Sequence, residues 1–276
     1  MTKVSTVGVI TLAAAVSLTA IHAVKVRAEQ TSPHAHHVTS HTHITLPSDK
    51  PDFAAMGDVK QKKTAFFAYL QPMIDRENST IAHNRGLLEH YFTQHPAPSH
   101  GGNAPTEFLE NIASQYQLPI PTAGVNATWQ QAILARVDQI PAALVMSQAA
   151  IESAWGTSRF AVEANNYFGQ WCYTQGCGLF PHQEKGGHFH EVQRFANTQA
   201  AVDAYFTNVN TNPAYQALRD IRAKQRAAGT PITSDAAANA MAQGLIHYSQ
   251  IGEKYVQEIR AMIHDDRQYM PPVNAA

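Results

Sequence analysis

The amino-acid sequence predicts a mostly α-helical protein with one small β-hairpin. From residue 58 to residue 264, most segments carry apolar residues at helical intervals and few runs of β-branched residues. Residues 169–194 differ, because glycines and a proline divide them into short segments. The last of these segments alternates as a strand does, with four residues on one face: Phe189, Glu191, Gln193 and Phe195.

The helical pattern begins after Asp58 and contains Gln71-Pro72, where we expect a kink, and a second helical run covers Ile81 to Phe92. A loop rich in proline and glycine follows this run. The remaining predicted helices are, in chain order, Thr106–Tyr116, Thr128–Val137, Pro141–Trp155, Thr198–Asn208, Pro213–Ala227, Asp235–Leu245 and Lys254–His264.

Composition narrows the class of protein. The chain has 276 residues, 44% of them hydrophobic and 15% charged, which suffices for the core of one or two ordinary domains. Lys and Arg number 20 against 21 Asp and Glu, for a formal charge of -1. Since no overall positive field exists to attract a polyanion, nucleic-acid binding is not expected.

The N-terminus is typical of an export signal. Lys3 precedes an uncharged stretch at residues 4–24, and Val26-Arg27-Ala28 offers small residues for cleavage after Ala28. The uncharged stretch is also long enough to span a bilayer, so an uncleaved inner-membrane anchor is the alternative. Either reading predicts that residues 1–28 direct the protein out of the cytoplasm, to the periplasm.

Residues 29–52 lack apolar periodicity and are rich in Ser, Thr, Pro and His, which predicts a flexible tether. Clustered histidines can bind Zn, Ni or Cu, so a periplasmic metal carrier is one alternative function. The tether has neither a fixed ligand spacing nor a carboxylate shell, and we predict no metal site. Its histidines are His34, His36, His37, His41 and His43.

Glu152 is the first candidate for chemistry. Pro141 suits the first position of its helix and Gly156 suits a left-handed stop, which places Glu152 in the last turn beside unpaired carbonyls. Gln148 and Trp155 share its face at spacings of four and three. These surroundings favour the protonated carboxyl, as a general acid requires. The alternative reading is a solvated surface glutamate.

The segment Ser147 to Gly156, followed by Asn165 to Gly169, resembles the signature of the bacterial glucosaminidases that cut peptidoglycan. That family includes the flagellar cell-wall hydrolase domain, and this chain is most similar to its Bax-like branch. The resemblance is clear over residues 141–263 and weak from residue 53. It implies a catalytic domain at 121–270, preceded by a helical extension at 53–120, with a lysozyme-like helical lobe and a β-hairpin across a glycan-binding groove.

The resemblance assigns roles to individual residues. Glu152 is the general acid, Tyr248 matches a functional tyrosine and Tyr255 is a later tyrosine. A second carboxylate is expected on the hairpin, where we favour Glu191 over Glu184. Its distance from Glu152 would decide between inversion and retention, and a substrate-assisted route is also open. The residues expected to contact glycan are Gln148, Trp155, Asn166, Tyr167, Phe168, Gly169, Trp171 and Tyr173.

Cys172 and Cys177 are the only cysteines, and export would place them in an oxidising compartment where a disulfide persists. We therefore predict a local disulfide that shapes the loop between them. The nearby His182, His188 and His190 form no recognised ligand spacing. No cofactor is expected, since glycosidic hydrolysis of this type requires none.

The sequence thus predicts an exported endo-β-N-acetylglucosaminidase whose partner is the peptidoglycan glycan strand. Two alternatives use the same groove. A lytic transglycosylase would need one catalytic acid and would form an anhydro sugar. A cell-wall binding module would hold the glycan without cutting it.

Overall fold

The computed structural model describes residues 44–47, 49–181 and 190–272. Its helices are α1 (Val59–Gln94), α2 (Glu107–Gln115), α3 (Ala127–Arg136), α4 (Ala142–Ser153), α5 (Arg159–Ala164), α6 (Thr198–Thr211), α7 (Gln216–Ala227), α8 (Asp235–Ala242) and α9 (Glu253–Asp265). Short 3-10 turns lie at Pro213–Tyr215, Gln243–Leu245 and Arg267–Tyr269. The strands are β1 (Trp171–Cys172), β2 (Gly178–Leu179) and β3 (Glu191–Gln193). The predicted fold class, mostly helical with a small antiparallel sheet, is confirmed.

Several predictions about the N-terminal region fall on residues outside those described, namely the export signal or anchor at 1–28 and the histidines of the tether. Within the described residues, no helix is both long and apolar enough to cross a bilayer. The end of the predicted tether belongs to the domain. Leu46 packs against the core, and the Lys50 ammonium donates to the carbonyls of Ala161 and Val162 at 3.1 and 2.9 Å.

Helix α1 is one continuous helix where the sequence predicts two runs with a kink. Asp58 caps it by accepting a hydrogen bond from the Gln61 amide at 2.7 Å. Pro72 removes one backbone hydrogen bond inside the helix. Burial of the flanking side chains, including Leu70 and Met73, outweighs this loss, because tertiary packing supplies most helical stability in proteins.

Helix α4 lies at the centre of the fold, where it contacts α1, α8 and α9. Its side chains are buried almost all round, as expected for a helix with an apolar surface on every side. Alanines at 142, 143, 149 and 150 allow the neighbouring helices to approach closely. Residues 53–120 contribute to the same hydrophobic core as α4, through side chains such as Phe66 and Leu70.

The end of α4 differs from the prediction. The helix ends at Ser153, two residues early, and Ala154, Trp155 and Gly156 follow with φ of 49°, 60° and 75°. Ser153 Oγ accepts a hydrogen bond from the Gly156 amide at 2.8 Å, which holds this turn. Because the chain reverses here, Glu152 becomes the penultimate residue of α4.

The three strands form a sheet in the order β1-β3-β2, with both pairs antiparallel. Trp171 lies opposite Val192, and Cys172 lies opposite Glu191. Gly178 is required for the approach of β2, since a Cβ at that position would lie 1.9 Å from the Val192 carbonyl oxygen. The sheet confirms the predicted β element, and Phe189 of the alternating segment lies outside the described residues.

Gly156 is expected to be essential for stability. A Cβ there would lie 2.5 Å from Cδ2 of Phe53, and its backbone φ is positive. We expect Gly156→Ala to lower the free energy of unfolding by about 2–4 kcal/mol, from left-handed strain and overpacking together. Thermal or urea unfolding of the purified chain measures this loss.

The matched control is Gly86→Ala, in helix α1, where a Cβ meets nothing within 4 Å. This change should stabilise the protein by about 0.5–1 kcal/mol, because alanine favours a helix interior. Equal effects of the two substitutions would contradict the close contact between Gly156 and Phe53.

Candidate active site

Glu152 lies at the C-terminal end of the central helix α4, with a side chain that is partly exposed. Its Oε1 accepts a hydrogen bond from the Tyr255 hydroxyl, presented by α9, at 2.8 Å. Its Oε2 faces the backbone of Gly169, where a Cβ would lie 3.6 Å away. One carboxylate oxygen is therefore held by the protein, and the other lies beside a residue without a side chain.

A chain of hydrogen bonds behind Glu152 fixes its orientation. The Tyr205 hydroxyl donates to Gln148 Oε1, and Gln148 Nε2 donates to the Tyr255 oxygen at 3.1 Å. Tyr255 then donates its own proton to Glu152. Because every donor points toward the carboxyl, Oε1 is an acceptor, and the acid proton of neutral Glu152 belongs on Oε2.

The surroundings of Glu152 favour its neutral form. Burial raises the pKa of the Glu152 carboxyl, and the hydrogen bond from Tyr255 acts in the opposite direction. Burial also raises the pKa values of Tyr205, Tyr248 and Tyr255 well above that of free tyrosine, so these side chains stay protonated as donors. The carbonyls at the end of α4 further disfavour a negative charge at this position.

Tyr248 supports the site from the loop before α9. Its ring stacks on Tyr255 with centroids 5.5 Å apart and planes 1° from parallel. Its hydroxyl donates to the Phe168 carbonyl oxygen at 2.7 Å. Tyr248 therefore fixes both the ring that contacts Glu152 and the turn that brings Gly169 beside it.

Asn166 builds the turn that carries Gly169. Its Oδ1 accepts from the amides of Phe168 and Gln170 at 3.2 and 3.1 Å. Its Nδ2 donates to the carbonyls of Gln170 and Gln193, each at 2.9 Å. The amide side chain thus ties the turn to itself and to β3, which explains why an asparagine precedes the Phe-Gly pair.

Five of the residues predicted to contact glycan pack against other parts of the domain. Gln148, Asn166, Tyr167 and Phe168 have buried side chains, so a direct contact with a polymer is closed to them. They support the site from within, as when Phe168 stacks on Tyr205 at 4.3 Å. Trp155 turns away after the end of α4 and packs on two rings of α1, Phe66 and Phe67, at 5.6 and 5.3 Å.

Three predicted contact residues are accessible. Gly169 presents its backbone next to Glu152, and its φ of 65° suits glycine. Tyr173 is 80% exposed and Trp171 is 37% exposed, and both lie in the sheet region. The Trp171 ring also lies 4.0 Å from the His190 ring. Flat aromatic faces of this kind are suited to stacking on sugar rings.

Glu191 is placed differently from the prediction that it is the second carboxylate. It is fully buried in β3, and its two oxygens accept hydrogen bonds from the amides of Gly176 and Gly178 at 2.9 and 2.6 Å. A carboxylate closed off from solvent in this way has no water to activate. It holds the loop that the Cys172–Cys177 disulfide closes, a bond that confirms the predicted pairing.

The other candidate, Glu184, lies outside the described residues, as do His182 and His188. Donor atoms of Cys172, Cys177 and Glu191 lie within 4.8 Å of one another, which is close enough for a metal. The two sulfurs are bonded to each other, however, and are not thiolate ligands.

Comparison with known proteins places this geometry in a family. Residues 129–268 match the family described as Glucosaminidase, mannosyl-glycoprotein endo-beta-N-acetylglucosaminidase. The chain is 32% identical over 221 residues to Protein bax of Escherichia coli (strain K12), covering 80% of this chain and 75% of that protein. The chain belongs to the glucosaminidase family. The resemblance drawn from the Glu152 motif is thereby confirmed. No solved structure gives a significant match.

Tyr255 has a larger part in the site than the sequence predicts. The family resemblance gives it only as a later tyrosine, whereas in the structure it donates the hydrogen bond to Glu152. One sequence signal was present. Tyr255 begins the apolar face of α9, together with Val256, Ile259 and Ile263, so its ring was bound to face the core.

Glu152 is expected to lower the stability of the folded protein at neutral pH. The pKa of Glu152 is raised in the folded state, so the unfolded chain loses this proton at a lower pH. The free energy of unfolding therefore falls as pH rises between the two pKa values. Glu152→Gln should raise the melting temperature at pH 7.5 by about 2–4 °C for each kcal/mol gained. The difference should vanish below a pH of about 4, where glutamate is protonated in both states.

Thermal unfolding at the two pH values measures this difference. The control is Glu163→Gln, which removes an exposed carboxylate from α5 and should leave the melting temperature unchanged at both pH values. A lower melting temperature for Glu152→Gln at pH 7.5 would show that the ionised carboxylate is favoured in the fold.

Proposed function

We propose that this chain is an endo-β-N-acetylglucosaminidase that cleaves the β-1,4 bond after N-acetylglucosamine in peptidoglycan, with Glu152 as the general acid. The observation that carries the proposal is the state of Glu152. Its carboxyl has a pKa raised by burial, its Oε1 is held by Tyr255, and its Oε2 lies next to the bare backbone of Gly169. Family membership supports the reaction class.

In the proposed first step, Glu152 Oε2 gives its proton to the bridging glycosidic oxygen. The bond between that oxygen and C1 breaks, and its electron pair stays on the departing sugar. Positive charge develops on C1 and the ring oxygen of the remaining sugar. Glu152 becomes a carboxylate, which the Tyr255 hydroxyl stabilises through the hydrogen bond already in place at 2.8 Å.

The positive charge at C1 must then be captured. Glu191 is buried and bonded to two backbone amides, so the structure favours routes that do not use it. One route uses a water activated by Glu184, which stays a proposal because that residue lies outside the described ones. Another uses the substrate's own acetamido oxygen, which attacks C1 in the first step. Water then attacks C1 in the second step and displaces that oxygen. Tyr248 is the predicted support for the latter route.

A lytic transglycosylase is the second candidate, and one observation favours it. Among the carboxyls that the structure describes, only that of Glu152 is hydrogen-bonded to the stacked pair Tyr248 and Tyr255, and transglycosylation needs a single acid. In that reaction the substrate's own 6-hydroxyl attacks C1 and returns its proton to the enzyme. The product is an anhydro sugar, lighter by one water than a hydrolysis product.

Export to the periplasm is part of the proposal. Peptidoglycan lies outside the cytoplasm, and the features of residues 1–28 suit an export signal or an anchor through residues 4–24. The Cys172–Cys177 disulfide agrees with an oxidising compartment.

The deciding experiment is digestion of purified sacculi, followed by mass spectrometry of the released fragments. We expect a new reducing end at N-acetylglucosamine, and Glu152→Gln should lower the rate by about 10²–10⁴-fold, the usual contribution of a general acid. Glu163→Gln should digest at the wild-type rate.

Each other outcome rejects the proposal in a defined way. An anhydro end group would assign transglycosylation, and equal rates for wild type and Glu152→Gln would remove Glu152 as the acid. If neither protein released fragments while both bound sacculi, the chain would be a cell-wall binding module.

Tyr255→Phe should move the pH profile. The hydrogen bond from Tyr255 lowers the pKa of Glu152, so its loss raises that pKa further. A general acid works only while protonated, and kcat/KM falls as pH rises through its pKa. The alkaline side of the profile of Tyr255→Phe should therefore lie at higher pH than that of wild type.

The matched control is Tyr91→Phe, which removes a hydroxyl from a ring that stacks on His95 near the end of α1. Its profile should coincide with that of wild type. A shift of the Tyr255→Phe profile to lower pH would show that Tyr255 does not stabilise the Glu152 carboxylate.

A further inference from the structure

A cavity lies near the N-terminal end of α4, whereas Glu152 lies at the C-terminal end. Its volume is about 340 Å³, and it opens among α1, α3 and α7. Helix α4 has twelve residues and is about 18 Å long. Asp138, which lines the cavity, precedes its first residue, whereas Glu152 is next to its last. The residues that line it are Arg85, Gln131, Leu134, Ala135, Asp138, Arg219, Arg222, Ala223, Arg226 and Ala227.

The lining of this cavity is strongly positive. Four guanidinium groups share it with a single carboxylate, that of Asp138. Two further acids act on these arginines from outside the lining. Glu89 is half-exposed and pairs with Arg85 Nε at 2.8 Å, and Asp220 raises the pKa of Arg219. The four arginines still outnumber the three carboxylates, and guanidinium charges are costly to bury without a partner.

Two of the four arginines are fully buried. Burial lowers the pKa of Arg222 to about 10, and the three neighbouring guanidiniums act in the same direction while Asp138 opposes them. Burial likewise lowers the pKa of Arg219 to about 10. Arg136 also lowers the pKa of Arg219, and Asp220 opposes this effect. Both pKa values remain above neutral pH, so the positive charges persist.

Hydrogen bonds within the protein explain only part of this cluster. Arg222 donates to the carbonyls of Ala135, Asp138 and Gln139, and thereby closes the C-terminal end of α3. Arg219 similarly donates to the carbonyls of Val209 and Asn212. These contacts satisfy donors but bring only partial negative charge, so the arginines keep an excess of one positive charge over Asp138, Glu89 and Asp220.

The other two arginines have donor capacity left. Arg226 binds Asp138 through Nε and Nη2. Arg85 Nη1 donates to the carbonyls of Leu134 and Val137 and lies 3.4 Å from Asp138 Oδ2, and Arg85 Nε lies 2.8 Å from Glu89 Oε1 without a hydrogen bond. Within the described part of the chain, Nη1 of Arg226 and Nη2 of Arg85 have no protein partner. Each is a charged donor on a residue that lines the cavity.

We propose that this cavity binds a phosphate group carrying two negative charges. Guanidinium groups match phosphate oxygens in pairs, and a dianion would compensate the excess positive charge. The cavity volume accommodates a phosphate together with a small attached group. The proposal is independent of the glycosidase reaction, because it involves no residue of the Glu152 site.

Titration calorimetry of the full chain with inorganic phosphate, at pH 7.5 and constant ionic strength, tests the proposal. We expect saturable binding of one phosphate per chain with a dissociation constant below about 1 mM. Absence of saturable heat, or equal heat from chloride, would overturn the site. Glu152→Gln should bind phosphate as wild type does, which separates this result from the outcome of the sacculus digestion.

Ala223 lines the cavity and is exposed, so a larger side chain can be accommodated at this position. It therefore offers a matched pair of variants. Ala223→Glu supplies a carboxylate to the same arginines and should abolish phosphate binding while raising the melting temperature. Ala223→Gln has the same size without the charge and should keep most of the affinity. Equal affinities for the two variants would overturn the proposal.

A second pair removes positive charge from α7. Arg226→Gln should weaken phosphate binding about tenfold, as expected for one charge-assisted hydrogen bond. Lys224→Gln removes the same charge from an exposed position two residues away and should have little effect. If both substitutions weakened phosphate binding equally, the effect would come from the overall charge of the protein, and the proposed site would be overturned.

Two further ligands define the source of the phosphate. Glucose 6-phosphate binding at least as tightly as inorganic phosphate would assign a phosphate ester, whereas weaker binding would assign the free ion. Both results support a phosphate site. Succinate, a dicarboxylate, should bind more weakly, and equal or tighter binding of succinate would overturn the assignment to phosphate.

Discussion

The hydrogen bond from Tyr255 to Glu152 is the interaction on which the candidate site depends. It joins the last turn of α4 to the first turn of α9, two helices that are far apart in sequence. It also makes the two carboxylate oxygens different, since one is held and the other is open beside Gly169. An acid that must release a proton in one direction and then carry a negative charge needs this asymmetry.

The rest of the fold keeps these two helix ends in place. The alanines of α4 allow α8 and α9 to pack closely, and the reversal after Ser153 ends the helix where the carboxyl must emerge. Gln148 and Tyr205 orient Tyr255 from behind, and Asn166 shapes the turn of Gly169. Much of the motif therefore builds the supports of the acid, and few of its side chains are free to touch a substrate.

Local patterns in the sequence predict the α4 segment, the sheet region and the position of Glu152, through periodicity, glycine placement and the family motif. They do not predict the direction of side chains that depends on the partners they meet in the fold. Trp155 shares a helical face with Glu152 in the ideal helix, but the left-handed residues after Ser153 turn it onto α1.

Glu191 illustrates the same limit. An alternating segment predicts which residues share a face of a strand, but not whether that face meets solvent or another loop. The loop from Cys172 to Cys177 covers this face of β3. The Glu191 carboxylate, predicted to act on a substrate, therefore accepts hydrogen bonds from backbone amides of that loop. The helix boundaries show the limit as well, because Pro72 interrupts the local pattern while long-range packing carries α1 through it.

Glu191 clamps the loop between Cys172 and Cys177 through the amides of Gly176 and Gly178, and β3 holds the carboxylate in register with Cys172. These two hydrogen bonds do not involve the sulfur atoms. The loop is therefore restrained twice, by a covalent bond between its ends and by a buried carboxylate on its backbone. Reduction of the disulfide would remove only the covalent restraint, and the amide contacts would still oppose opening of the loop.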